Sequence, residues 1–143
     1  MKVEMIETFI FQPEIIFAVL TDIPHHVDWM EYPIELTSLN NGPARLGTTW
    51  EQNADRLGKK LILLNTCNLY EKNRKFGWRT EKPFLAQVTF LLEPERDGTR
   101  LTWMFESEES AIVQLAEPLL NRQTNEMIRK SLTRLRAYLR TAL

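Results

Sequence analysis

The sequence predicts an α+β fold in which an antiparallel sheet curves against one long C-terminal helix, and three observations predict it. A helical pattern runs from Pro118 to Ala142; a series of strand-like runs divided by turn residues precedes it; and two short helical patterns follow the first strand. A helix of that length with one apolar arc needs a sheet to lie on.

Lys2 to Phe11 opens the chain as a strand, rich in β-branched and aromatic residues. Pro13 suits the first turn of a helix and Glu14 its positive end, so Pro13 to Leu20 is predicted helical with Ile16, Phe17 and Leu20 turned inward. Pro24 to Met30 is predicted as a second short helix, ended by the turn-prone Glu31-Tyr32-Pro33. Strand-like runs then meet turns: Ile34 to Leu39 before Asn40-Asn41-Gly42-Pro43, Gly47 to Asn53 before Ala54 to Gly58, and Leu61 to Tyr70 before Glu71-Lys72-Asn73. Lys75 to Thr80, Phe84 to Glu93 and Thr99 to Glu106 complete the sheet, with Asp97-Gly98 as a hairpin signal between the last two. A parallel pairing would require a crossover, and the segment from Pro33 to Glu106 has nowhere to place a helix, so the sheet is a meander. Alternation gives one face to Phe84, Ala86, Val88, Phe90 and Leu92, joined by Leu101, Trp103 and Phe105, and the other to Gln87, Thr89, Arg100 and Thr102.

On the last helix, Leu120, Met127, Ile128, Leu132, Leu135, Tyr138 and Leu139 share one arc, while Arg122, Arg129, Arg136 and Arg140 line the opposite side as a solvated stripe. Thr124 and Ser131 interrupt the apolar arc with small hydroxyl residues, where a solid interface would carry Leu or Ile. A buried hydroxyl needs a partner, so this points to a cavity between helix and sheet. Pro118 is expected to begin or kink the helix, leaving Ser107 to Glu117 as a gate beside the pocket mouth.

Composition excludes several classes. At 143 residues the chain fits a single domain, 1–143, able to bury a core without metal or disulfide staples. A net charge of −1, with 26% charged residues, gives no global pull toward nucleic acid or anionic membrane. Any membrane contact through the arginine stripe is expected to be transient. A lone Cys67 excludes an internal disulfide, and with no apolar leader or spanning segment in view a cytoplasmic location is expected.

Certain short runs carry a resemblance. Ile10-Phe11-Gln12-Pro13 leads into Ile16-Phe17, Thr21-Asp22 ends the helix, Trp29 lies in the second helix, and Gly47-Thr48-Thr49-Trp50 and Gly98-Thr99-Arg100-Leu101-Thr102-Trp103 mark two strands. In this order the chain resembles the START-related helix-grip superfamily, and within it the polyketide cyclase/dehydrase and lipid-transport branch. The resemblance spans essentially the whole chain and rests on order and spacing. It implies a helix-grip fold, with the curved antiparallel sheet wrapped around the last helix and a pocket enclosed between them.

The expected role is binding or carriage of a lipid-like or polyketide-like small molecule. Expected ligand contacts are Trp50, Asn65, Trp78, Phe90, Trp103 and Phe105 from the sheet, and Thr124, Met127, Ile128 and Ser131 from the helix. Two registers stay open: Leu61 to Tyr70 can turn either Leu63, Asn65 and Cys67 or Ile62 and Leu64 inward, and Gly47 to Asn53 can turn either Trp50 or Glu51 inward. Asn65 reads equally as a ligand anchor or a satisfied core amide. An inward Glu51 would supply a carboxylate of raised pKa for a cyclase/dehydrase-type enzyme; otherwise no acid, base or nucleophile points inward and no catalytic residue is assigned. A filled interior with an exposed apolar patch would instead suit a protein-interaction domain of the chaperone co-activator kind. His25 and His26 are adjacent and diverge on a helix, so Pro24 to Glu31 is read as a solvated end-cap over Trp29, with neither metal nor cofactor expected. Trp50, Trp78 and Trp103 lack a basic groove, and nucleic acid is not expected as a partner. The sequence leaves the ligand's identity and the oligomeric state unset.

Overall fold

A computed structural model describes residues 1–31, 36–38, 42–108 and 114–142. The strands are β1 (Lys2–Phe9), β2 (Leu36–Ser38), β3 (Thr49–Arg56), β4 (Lys59–Glu71), β5 (Lys75–Lys82), β6 (Leu85–Glu95) and β7 (Gly98–Glu108). Among the described residues they form one seven-stranded antiparallel sheet in the order β1-β7-β6-β5-β4-β3-β2. Between β1 and β2 lie the helix α1 (Pro13–Leu20) and a 3₁₀ helix (Ile23–Asp28), and the chain ends in α2 (Glu117–Ala142). The flanks of the predicted Ile34 to Leu39 strand, its turn at Asn40-Asn41, and residues 109–113 of the proposed gate lie outside the described residues.

Local chemistry sets these boundaries. Pro13 occupies the first turn of α1, where its missing N–H costs nothing, and Thr21 ends the helix by donating its hydroxyl to Phe17 O at 2.9 Å. The second short helix is 3₁₀, held by i to i+3 bonds from His25 N to Asp22 O at 3.1 Å and from Trp29 N to His26 O at 3.2 Å. The β3–β4 hairpin turns on Leu57 and Gly58, both at positive φ (54° and 78°), the pairing a type I′ turn requires. At the β6–β7 hairpin the two turn residues are Arg96 and Asp97, because Glu95 already pairs with Gly98. Gly98 serves a different purpose from the one the hairpin signal suggests. A Cβ there would collide with Phe9 O, so glycine lets the end of β1 approach β7.

Both open registers resolve. Leu63, Asn65 and Cys67 are buried, while Ile62 and Leu64 are 61% and 45% exposed. Trp50 and Gln52 are buried, so Glu51 takes the outer face with Glu106. Inner-face side chains of the sheet cluster with Ile128, Leu132, Leu135 and Leu139 of α2 in the core, and Leu120 and Thr124 are buried on the same arc of the helix.

The arginines of α2 are not all solvated. Arg136, half-buried, donates to Glu7 Oε2 at 3.0 Å and to Thr8 O at 2.6 Å and lies 4.8 Å from the centre of the Phe9 ring, tying α2 to β1. Arg134 reaches the carbonyls at the end of the 3₁₀ helix, including Met30 O at 3.4 Å, and pairs with Glu31 at 3.3 Å. Both ties lie in the C-terminal half of the helix, beyond Gln123, Thr124 and Met127, which border the cavity described next.

Candidate functional site

Alternation along β3 to β7 turns a row of side chains toward the first half of α2, and where that row meets small residues a space is left. The cavity has a volume of about 80 Å³. Trp78, Phe84, Trp103 and Phe105 give it aromatic walls; Met30, Leu63, Val88 and Met127 fill the gaps between them. Gln52 and Thr80 form a polar floor, and Ala54, Asp55, Gln123 and Thr124 also contact the space. Sites for drug-sized ligands run to about 300–1,000 Å³, so this form admits a small group or the tip of a larger molecule. Met30 and Met127, unbranched and adaptable, are the walls best able to yield to more.

Behind the floor lies a buried hydrogen-bonded chain that crosses three strands. Trp50 Nε1 donates to Gln52 Oε1 at 3.2 Å, Asn65 Nδ2 donates to the same oxygen at 2.6 Å, and the Thr80 hydroxyl donates to Asn65 Oδ1 at 2.6 Å. Strand register makes this possible, since Asn65 faces both Trp50 and Thr80. Paired in this way the polar atoms tolerate burial, and each holds the next in one orientation.

Of the residues expected from sequence, the structure brings Trp78, Trp103, Phe105, Thr124 and Met127 together on the cavity wall. Asn65 sits one layer back as the centre of the hydrogen-bonded chain. Trp50, Phe90 and Ile128 pack in the core, with Trp50 5.4 Å from Trp78 and Phe90 4.7 Å from Trp103 between ring centres. Ser131 is fully buried away from the wall, where its oxygen accepts the Glu31 N–H at 2.8 Å. Sequence reasoning missed Gln52 and Thr80, although each lies two residues from an inward tryptophan, Trp50 and Trp78, and so shares its face.

The end-cap divides in two. His25 is solvated, its Nδ1 2.8 Å from Asp22 Oδ2, and that carboxylate raises its pKa. His26 and Trp29 instead lie wholly inside, 5.1 Å apart, with Trp29 6.2 Å from Trp103 and His26 5.8 Å from Trp78. His26 Nε2 stands 2.7 Å from Leu20 O, and because a carbonyl only accepts, Nε2 carries the proton. Burial lowers the His26 pKa to about 4 and raises that of the Cys67 thiol to about 11, leaving both neutral near pH 7. Among the described residues no group of three or more His, Cys, Asp or Glu side chains is placed to hold a metal. No helix among them is long and apolar enough to cross a membrane.

Comparison with known structures recovers this architecture at low sequence identity. A Thermus thermophilus protein superposes with a TM-score of 0.81 at 18% identity, covering 99% of each chain. A Chromobacterium violaceum protein superposes at 0.76 with 15% identity over 96% of each, and a START superfamily protein from Mycobacterium smegmatis at 0.76 with 12% identity over 99% of each. A comparison with curated proteins finds no match. The family model described as polyketide cyclase / dehydrase and lipid transport matches residues 2–140. With its helix-grip sheet and long C-terminal helix, the chain belongs to the polyketide cyclase/dehydrase and lipid-transport family.

Proposed function

We propose that this protein binds and carries a small hydrophobic molecule, lipid-like or polyketide-like, in the cavity between the sheet and α2. The observation that carries the reading is the cavity itself: aromatic and aliphatic walls over a floor of Gln52 and Thr80. An apolar enclosure with a few fixed polar groups is the usual form of a small-molecule site. Binding is favoured over catalysis by what the polar groups do. Gln52, Asn65 and Thr80 engage one another in hydrogen bonds, Glu51 and Glu106 stand on the outer face of the sheet, and among the described residues Asp55 is the one carboxylate bordering the space, with no base or nucleophile bordering it alongside.

The test combines calorimetric titration of an apolar probe, 4-propylanisole, with native mass spectrometry of the protein as purified. Wild type is expected to bind the probe saturably at one site, and any retained adduct gives the mass of the natural ligand. Thr124→Leu, which adds apolar volume to the cavity wall, is expected to lose most of the affinity while its Tm holds or rises. Unchanged affinity in this variant would move the site elsewhere, and no binding by wild type would overturn the reading.

A further inference from the structure

Three buried side-chain atoms have no hydrogen-bond partner among the described residues: His26 Nδ1, Trp29 Nε1 and Trp103 Nε1. They belong to one run of touching rings, His26 against Trp29 and Trp29 edge-on to Trp103, with His26 also against Trp78. Trp78 and Trp103 are walls of the cavity, and Met30, next in sequence to Trp29, is another. Buried polar atoms are nearly always paired, so three orphans gathered behind one cavity wall call for a common explanation.

Their chemistry is complementary. Each indole N–H can only donate. His26 Nε2 already donates to Leu20 O, which leaves Nδ1 as a bare lone pair that can only accept while the ring is neutral. Complete burial keeps it neutral. A group satisfying all three must accept hydrogen bonds and donate one, which a hydroxyl does and a ketone, ether or carboxylate does not.

Resting on the binding role proposed above, we infer that His26 and Trp29, one layer behind the cavity wall, form with the wall residue Trp103 a hydroxyl-recognition subsite, and that the ligand is an uncharged phenol or alcohol. The hydroxyl oxygen accepts from the indole N–H groups, the hydroxyl donates a hydrogen bond to His26 Nδ1, and the apolar body occupies the space between Trp78, Phe105 and Met127. A trapped water offers the same hydrogen bonds, and the experiment separates it from ligand.

The experiment titrates 4-propylphenol and 4-propylanisole into wild type and Trp103→Phe, following heat and the ¹⁵N resonance of His26 Nδ1. A wall without partners prefers the ether, because burying an unpaired hydroxyl is costly. The subsite predicts the reverse: the phenol binds wild type about ten-fold or more tightly than the ether, the scale of one buried hydrogen bond. Only the phenol should move the Nδ1 resonance, and Trp103→Phe should shrink the preference. Equal affinities, or an Nδ1 resonance that shows a hydrogen bond before ligand and does not move, would overturn the subsite while leaving cavity binding intact. Binding of neither probe would overturn both.

Discussion

Thr124 and Ser131 stand two turns apart on one arc of α2, yet they do different work. Thr124 borders the cavity, whereas Ser131 accepts the Glu31 N–H and so pins the exit of the 3₁₀ helix to α2. Ser131→Leu should therefore overfill a packed site and lower stability by about 1–3 kcal/mol, and Ser131→Ala should cost about 1 kcal/mol through the lost bond. Urea unfolding measures both, and a neutral Ser131→Leu would mean the site is hollow. His26 makes a second residue-scale prediction. Its pKa falls from about 6.5 unfolded to about 4 in the fold, so between those values the unfolded chain binds the proton and the folded chain does not. Stability is then full above about pH 6.5 and declines as the pH drops toward 4, by about 3 kcal/mol in total from this group. His26→Gln should flatten that decline relative to wild type in thermal melts across the range, and parallel curves would contradict the assignment. Sequence made Thr124 and Ser131 visible together because helical spacing is local. It did not separate them, since the Glu31 amide that claims Ser131 is 100 residues away in the chain.

At the scale of elements, the same contrast between local and distant causes decides what was legible. Pro13 and Thr21 bound α1 by short-range chemistry, and the predicted span Pro13 to Leu20 is the observed one. The strands and their antiparallel order follow from turn residues and alternation, and inward Trp78, Trp103 and Phe105 follow from the same period. Gln52 and Thr80 escaped because their value as a floor arises from cross-strand pairing with Asn65, which no single strand encodes. Arg136 read as solvated until the approach of β1 gave it Glu7, Thr8 and the Phe9 ring. Gly98 is the sharpest element-scale test. Gly98→Ala sets a methyl against Phe9 O and should separate β1 from β7, costing more than about 2 kcal/mol in chemical denaturation. A variant as stable as wild type would mean that this edge of the sheet yields freely.

For the whole molecule, the sheet, the long helix and Met30, just beyond the 3₁₀ helix, converge on one small, largely apolar space, and the proposed function stands on its occupation by ligand. Methionines report on it with a control built in. Met30 and Met127 line the cavity, while Met104, between the inward Trp103 and Phe105, lies on the opposite face of β7. The most direct measurement is a titration of ¹³C-methyl-methionine-labelled protein with 4-propylphenol, followed by NMR. Saturable shifts of the Met30 and Met127 methyl resonances, with Met104 unmoved, are expected. Shifts confined to Met104, or none at Met30 and Met127 while the probe binds, would contradict occupation of the cavity.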